Sequence, residues 1–355
     1  MFERILHISI YQRGLVLMAV LMMAIIGVYS YQKLPIDAVP DITNVQVQIN
    51  TNAPGYSPVE AEQRITFPIE TIMAGLPHLD YTRSISRYGL SQVTVIFKDG
   101  TDVYFARQQV SQRIQEAKGR LPVGIEPMMG PISTGLGEIF MWTVDAKPGA
   151  KKPDGTEYTT TDLREIQDWV IRPQLRMVKG VTEINTLGGF VKQFHVVPYP
   201  DKMISFGLSL MDLVTALERN NLNVGAGYIE KSGEQYLVRI PGQIANLNEI
   251  GNIILGSRQG TPIRVKDVAD ILIGKELRTG AATQNGKEVV LGTVHMLIGE
   301  NSRLVAQAAA KKLEEINRNL PEGIVTTPVY DRTTLVEKTI HTVAKNLLEG
   351  AALVI

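Results

Sequence analysis

The sequence predicts an α+β fold in which one N-terminal transmembrane helix is followed by β-α-β modules, the second of them split by an inserted unit. Three features of the 355-residue chain support this prediction. An uncharged run stands near the N-terminus, and segments with strand and helix periodicity alternate after it. Two helices of similar length also end in the same short motif, which indicates that one module occurs twice.

The uncharged run extends over 19 residues, Gly14–Gln32, and is bounded by Arg13 and Lys33. A helix that crosses about 30 Å of hydrocarbon needs about 20 residues. Tyr29 and Tyr31 lie at the end of the run, and aromatic rings favour the headgroup layer. We therefore predict a retained membrane anchor. The alternatives are a buried core helix and a cleaved signal peptide, for which the run lacks a small-x-small cleavage site.

The charges beside the run indicate its orientation. Arg4 and Arg13 precede it, which places the N-terminus in the cytoplasm and the following residues outside, although Lys33 reduces the asymmetry. At its other end the chain reads as the uncharged, mostly apolar segment Gly350–Ile355. We interpret this segment as the start of a second membrane span, and the alternative is a hydrophobic tail docked on the domain.

The first module follows the anchor. Val45–Thr51 alternates in polarity like a strand, and Ser57–Glu60 is a capping box with proline at the first helical position. Strands are predicted near Tyr81–Arg87 and Gln92–Phe97. A second helix is predicted where apolar residues recur at three- and four-residue spacing between positions 103 and 117. The predicted order is β-α-β-β-α with a closing strand.

The second module is recognised by its end. The first module's second helix stops at Leu121-Pro122-Val123-Gly124-Ile125, and the predicted helix Ser302–Asn319 stops at Leu320-Pro321-Glu322-Gly323-Ile324. The second module opens with a strand at Ile139–Val144 and a helix at Leu163–Met177. Because its two halves are far apart along the chain, an insertion must separate them.

The insertion is predicted at about residues 189–275. It contains a strand near Gln193–Val197, a helix at Ser209–Arg219 and a long hairpin around Asn223–Ile240. Glycines flank the polar tip of the hairpin, Glu230–Glu234. Such a hairpin is either a surface ribbon or an arm that docks on a neighbour.

Composition excludes several classes of function. Lys+Arg and Asp+Glu both number 36, so the zero net charge gives no electrostatic basis for a nucleic-acid partner. The absence of cysteine removes disulfides, thiolate metal sites and cysteine nucleophiles. The sequence contains no nucleophile elbow, no phosphate-binding loop and no visible nucleophile–base arrangement, so nothing in it indicates an enzyme. The histidines form no local pair, so any metal site must combine distant segments. They are His7, His78, His195, His295 and His341.

Glu138 is the acid most suggestive of a site. It begins the strand Ile139–Val144, and because side chains alternate along a strand we predict that it shares a face with Phe140, Trp142 and Val144. A carboxylate that heads an apolar face is costly if it is buried without a partner. It is therefore either solvated at the strand end or a cleft ligand, and carboxylate oxygen suits zinc and similar divalent ions.

Asp168 is the second candidate metal ligand. Its helix buries the stripe of Leu163, Ile166 and Val170, and Asp168 lies well round the helix from that stripe. The two interpretations are an exposed helix carboxylate and a ligand that lines a cleft between subdomains.

Five long motifs stand in order along the chain. They are Lys33–Ile42 (KLPIDAVPDI), Ala53–Glu60 (APGYSPVE), Lys98–Asp102 (KDGTD), Gly130–Glu138 (GPISTGLGE) and Asp162–Trp169 (DLREIQDW). Through them essentially the whole chain resembles the resistance-nodulation-division superfamily, heavy-metal efflux family, cobalt-zinc-cadmium type.

This resemblance implies a homotrimer in the bacterial inner membrane, with most of this chain periplasmic. It implies ferredoxin-like porter subdomains and a docking subdomain whose hairpin arm enters the neighbouring protomer. The implied partners are a periplasmic adaptor protein and an outer-membrane channel. The resemblance divides the chain into five parts. Residues 1–33 form the cytoplasmic N-terminus and transmembrane helix 1, and residues 333–355 form the start of transmembrane helix 2. Between them, porter subdomain 1 covers 34–133, porter subdomain 2 covers 134–188 with 276–332, and the docking subdomain covers 189–275.

The resemblance also implies a secondary transporter, not an enzyme, in which protons drive the efflux of zinc, cobalt or cadmium. No cofactor is implied beside the transported ion. Glu138 matches a position where zinc exporters carry a cleft carboxylate, and Asp168 is carried over as a second ligand. Copper and silver members carry an aromatic residue at the first of these positions and methionine at that of Leu277. The alternatives are a drug exporter of the same superfamily and a single-span periplasmic scaffold protein.

Overall fold

The structure of the chain is a computed structural model that describes residues 10–33, 43–222, 224–240, 242–277 and 280–354. The chain divides into two compact units. The first consists of Met1–Ala150, Gln167–Leu187 and Val290–Ile355, and the second of Lys151–Ile166 and Gly188–Val289.

The predicted N-terminal helix is present as α1, Arg13–Lys33. Arg4 and the segment 34–42 lie outside the described residues. Across the described ranges, none of the helices has both the length and the apolar character that a membrane crossing demands. The role of α1 as an anchor therefore stays a prediction.

The first repeat is an antiparallel sheet covered by helices. Its elements are β1 (Gln46–Asn52), α2 (Pro58–Ala61), a π-helical turn (Glu62–Thr66), α3 (Phe67–Met73), β2 (Leu79–Arg87), β3 (Leu90–Phe97), α4 (Val103–Lys118) and β4 (Pro127–Met129). The strand order is β2-β3-β1-β4. This is the predicted β-α-β-β-α module with its closing strand.

Local sequence explains the helices of this repeat. The backbone N–H of Glu60 donates to Ser57 Oγ, and the Ser57 N–H donates to the Glu60 carboxylate, so the predicted capping box is confirmed. Asp102 caps α4 by accepting from the Phe105 N–H at 2.7 Å. The apolar stripe of α4 is buried on the sheet, as predicted.

The second repeat has the same topology. Its elements are β5 (Glu138–Ala146), α5 (Thr160–Ile166), a π-helical turn (Gln167–Ile171), α6 (Arg172–Arg176), β6 (Val181–Leu187), β7 (Lys287–Met296), α7 (Ser302–Asn317) and β8 (Ile324–Asp331). β7 pairs with both β6 and β5, and β5 pairs with β8, all antiparallel. The order β6-β7-β5-β8 repeats that of the first sheet, which confirms the predicted duplication, and a fifth strand, Ala282–Gln284, pairs with the start of β7.

Both repeats interrupt their first helix in the same way. A π-helical turn is followed by a short helix whose second residue is proline, Pro68 in α3 and Pro173 in α6. Proline has no N–H to donate within a helix, and a π turn absorbs one extra residue where the hydrogen-bond ladder is broken. The last described element is the helix α8, Arg332–Val354, which begins directly after β8.

The second unit contains the predicted insertion. The strands Lys192–Pro198 and Ala269–Lys275 pair antiparallel. The predicted hairpin is confirmed as Val224–Lys231 paired with Glu234–Ile240, and Asn223 lies outside the described residues. Its turn residues Ser232 and Gly233 have φ of 57° and 80°, as a two-residue hairpin turn with right-handed twist requires. Apolar side chains around Val265 and Val268 form the core of this unit.

Candidate metal site

Glu138 is the first residue of β5, directly after a 3₁₀ turn at Gly135–Gly137. Its side chain is 45% exposed. Phe140 and Trp142, farther along the strand, are completely buried and stack with ring centroids 6.0 Å apart. Glu138 therefore lies at the rim of an apolar core and is open to solvent.

The pairing of β5 with β7 corrects the predicted face of Glu138. Val294 pairs with Phe140, but the next residue, His295, pairs with Glu138, so Ile139 forms a β-bulge. Ile139 and Phe140 are both buried. Because a bulge adds one residue, alternation fails across it, and Glu138 does not share the face of Phe140 and Trp142. It faces the same way as its partner His295.

His295 is the nearest titratable neighbour of Glu138. Its Nε2 atom lies 3.9 Å from Glu138 Oε1, and its side chain is only 13% exposed. The Asn185 amide on β6 lies 3.0 Å from the same Nε2. Burial lowers the pKa of His295, and the negative charges of Glu138 and Glu183 oppose this effect without reversing it. The imidazole is therefore neutral at pH 7 and available as a ligand.

Glu183 pairs with His295 in the β6–β7 register but is occupied by two arginines. Arg172 lies 3.0 Å and Arg176 3.5 Å from its carboxylate. Among the residues that the structure describes, no three of His, Cys, Asp and Glu form a group that could hold a metal ion. Among the described residues, Glu138 is thus the carboxylate near His295 that no arginine holds.

Asp168 lies in the π-helical turn and is half-buried. Its Oδ1 atom accepts a 2.7 Å hydrogen bond from Thr186 Oγ1 on β6. Thr186 pairs with Gly292, three residues along β7 from His295, a separation of roughly 10 Å at 3.3 Å per residue. The structure thus brings Glu138 together with His295 and Asn185, and holds Asp168 at a different part of the sheet.

The loop before Glu138 is fixed by the last helix. Arg332, the first residue of α8, is 4% exposed and donates to the Leu136 carbonyl. Gly137 closes the 3₁₀ turn by donating to the Thr134 carbonyl at 2.9 Å. The backbone that presents Glu138 is therefore tied to the start of α8.

Sequence reasoning missed His295, Asn185 and Arg332. The histidines form no local pair in the sequence, and nothing local distinguishes His295 from the others. Only the pairing of β7 with both β5 and β6 brings its ring between Glu138 and Asn185. One signal was available: in the predicted module β7 lies next to β5, so a histidine near its end has access to the start of β5.

The model of the AcrB/AcrD/AcrF family matches residues 5–355. The chain belongs to this family. It is 69% identical over 355 residues to the cobalt-zinc-cadmium resistance protein CzcA of Cupriavidus metallidurans, covering 100% of the chain and 33% of the relative. It is 63% identical to protein HelA of Legionella pneumophila, with 34% of that protein covered.

The chain is also 36% identical to the cation efflux system protein CusA of Escherichia coli K12, over 98% of the chain and 33% of the relative. Among solved structures, that of a heavy metal efflux pump superposes with a TM-score of 0.87 at 33% identity, covering 96% of this chain and 34% of that one. The predicted superfamily is therefore confirmed. The chain spans about a third of the length of these relatives.

Proposed function

We propose that this chain forms the N-terminal third of a proton-driven inner-membrane pump that exports divalent heavy-metal cations, namely zinc, cobalt or cadmium. The observation that carries the proposal is the 69% identity over the whole chain to a protein named for cobalt-zinc-cadmium resistance. The lower identity to CusA, 36%, favours the cobalt-zinc-cadmium type within the family. The relatives named for cation efflux and for metal resistance support a transporter.

In this proposal Glu138 contacts the ion in transit. A carboxylate oxygen is a suitable ligand for zinc, cobalt and cadmium, and the 45% exposure of the Glu138 side chain leaves it accessible. One carboxylate binds weakly, so more donors are needed, some of them from the rest of the protein. Protons that move through buried membrane carboxylates elsewhere would drive the repeats between conformations that admit and release the ion.

The proposed pump is anchored and trimeric. The uncharged run Gly14–Gln32 within α1 supports an anchor, and the exposed apolar side chains Tyr228, Ile229 and Tyr236 of the hairpin support an arm that docks on a neighbouring protomer. An adaptor protein and an outer-membrane channel would complete the assembly. Carbonate-washed membranes should retain the uncleaved complete protein, and native gels should show a trimer. A soluble product that starts near Lys33 contradicts the anchor.

The test of the proposed function is Glu138→Gln in the complete transporter, because glutamine keeps the shape and removes the charge. Cells with this variant should lose resistance to zinc or cobalt, while expression and assembly stay normal. Asp168→Asn is the matched comparison and should have a smaller effect, since Asp168 is engaged with Thr186. Wild-type resistance of the Glu138 variant to zinc, cobalt and cadmium would reduce Glu138 to a solvated strand end.

A further inference from the structure

Three side chains from neighbouring strands converge at the start of β5. Glu138 begins β5, His295 lies opposite it near the end of β7, and Asn185 stands on β6, the other neighbour of β7. Glu138 and Asn185 are exposed, whereas His295 is 13% exposed between them. The cluster therefore has a partly desolvated centre and an open side through which an ion can enter.

The separations within the cluster fit a metal ion. His295 Nε2 lies 3.9 Å from Glu138 Oε1 and 3.0 Å from the Asn185 side-chain amide. A tetrahedral zinc ion with bonds of about 2.0–2.2 Å holds its donors about 3.4 Å apart. The two observed separations lie on either side of this value. A half-turn of the Asn185 amide, which exchanges its nitrogen for its oxygen, and small rotations of the other two side chains would place one nitrogen and two oxygens around a single ion.

The orientation of Asn185 is compatible with this arrangement. As placed, its Nδ2 faces His295 Nε2 and donates to it, so the imidazole lone pair points into the cluster and the ring proton is on Nδ1. A half-turn of the amide presents Oδ1 at the same point. Glu183, the other acid opposite His295, is held by Arg172 and Arg176 and does not compete.

We propose that Glu138 Oε1, His295 Nε2 and Asn185 Oδ1 form a three-donor site for a divalent zinc-like cation, with water as the fourth ligand. The site deepens the proposed function, on which it rests, because it assigns nitrogen and amide donors to the ion that Glu138 contacts. Three protein donors and one water leave an exchangeable position, as an ion in transit requires. A mixed nitrogen and oxygen set favours zinc and cobalt over the soft monovalent ions that thiolate and thioether sites select.

The test is calorimetric titration of the purified 355-residue chain, in detergent, with zinc ion alone. His295→Gln should weaken zinc binding by about tenfold or more, because it removes the nitrogen donor. His195→Gln is the matched control: His195 is bonded to Gln193 in the other unit, and its loss should leave the affinity unchanged. Thermal melting of both variants without metal separates loss of the ligand from loss of the fold.

Asn185→Asp provides a gain-of-binding test that a misfolded variant cannot imitate. A second charged donor beside Glu138 should tighten zinc binding by about tenfold, whereas Asn185→Leu should weaken it. If the cluster is only a hydrogen-bonded strand contact, the aspartate variant will not bind zinc more tightly than wild type, and the proposal is overturned.

The two proposals fail in different ways. If Glu138→Gln abolishes metal resistance while His295→Gln leaves zinc affinity unchanged, the efflux function stands and the three-donor site is wrong. If zinc binding follows all three residues but Glu138→Gln leaves resistance intact, the site exists and the proposed transport through it is wrong.

Discussion

The two repeats share one strand order, but the polar side chains buried between helix and sheet differ. In the first, the Thr66 hydroxyl lies 2.8 Å from the hydroxyl of Ser86 and 2.7 Å from that of Ser91, which is a neutral cluster. In the second, the buried Trp142 Nε1 donates to Gln167 Oε1 at 3.0 Å. The first interface relies on small hydroxyls, and the second on a large aromatic side chain with one polar atom to satisfy.

The central strands of the two repeats also start differently. β1 begins with Gln46 opposite Ile96, and no bulge interrupts the β1–β3 pairing. β5 begins with Glu138 opposite His295, directly before a bulge. The shared fold thus supplies equivalent strand starts, where Gln46 pairs with an apolar residue and Glu138 pairs with a histidine. The proposed metal site therefore depends on residues in which the two repeats differ, and not on the topology that they share.

The largest expected effect on this comparison comes from Trp142→Ala. The side chain is 0% exposed, stacks on Phe140 and bonds Gln167, so its removal leaves a cavity and an unpaired amide. We expect a loss of about 3–5 kcal/mol in the free energy of unfolding. Urea unfolding followed by circular dichroism measures it.

Trp169→Ala is the matched control, because the other tryptophan is 78% exposed. Its substitution should change stability by no more than about 0.5 kcal/mol. Equal losses for the two variants would show that Trp142 does not anchor the second repeat.

Local patterns in the sequence were sufficient for much of the fold. The capping box at Ser57 and the apolar stripe of α4 depend on residues within a few positions of one another, and both are confirmed. The repeated Leu-Pro-x-Gly-Ile ending identified the duplication because each copy terminates a helix at the same point of the same topology. In these cases the residues whose interactions fix the structure lie close together in the sequence.

The candidate site depends on interactions between residues that are far apart in the sequence. The bulge at Ile139 arises from the register between β5 and β7, which the whole insertion separates along the chain. Alternation alone therefore assigned Glu138 to the wrong face. The contact of Glu138 with His295 follows from the same register, and the role of Gln167 as partner of Trp142 requires the packed helix. Neither is encoded in a local pattern.

A smaller effect is expected from Arg332→Met, which tests whether α8 holds the loop that is particular to the second repeat. The variant keeps the length of the side chain but removes the donor to the Leu136 carbonyl. We expect a loss of about 1.5–3 kcal/mol in stability, the range for hydrogen bonds from charged groups. Amides of residues 134–138 should also exchange faster with deuterium, as measured by mass spectrometry.

Arg318→Met is the control for this prediction, since Arg318 is exposed at the end of α7. It should leave both stability and the exchange of that loop unchanged. If Arg332→Met lowers stability without faster exchange in residues 134–138, Arg332 stabilises the helix start alone and does not position Glu138.

The smallest expected effect comes from Thr66→Val in the first repeat. Thr66 is 1% exposed, and its loss removes one bond each from Ser86 and Ser91. The cost is limited to about 1 kcal/mol because a replacement partner is close. Thr51 pairs with Ser91 across the strands, and its Oγ1 is buried with no hydrogen-bond partner among the described residues. Ser91 can turn towards it when Thr66 is removed.

Because Thr51 can replace Thr66 as the partner of Ser91, the stability losses of substitutions at Thr51 and Thr66 should not be additive. Thr51→Val alone should be nearly neutral, because its hydroxyl contributes no bond in the wild-type chain. In Thr66→Val combined with Thr51→Val, Ser91 loses both partners, so the combined loss of stability should exceed the sum of the single losses by about 0.5 kcal/mol or more. Urea unfolding of the four proteins measures this coupling. Additive losses would mean that Thr51 cannot substitute for Thr66, and that the neutral cluster is as dependent on one residue as the second repeat is on Trp142.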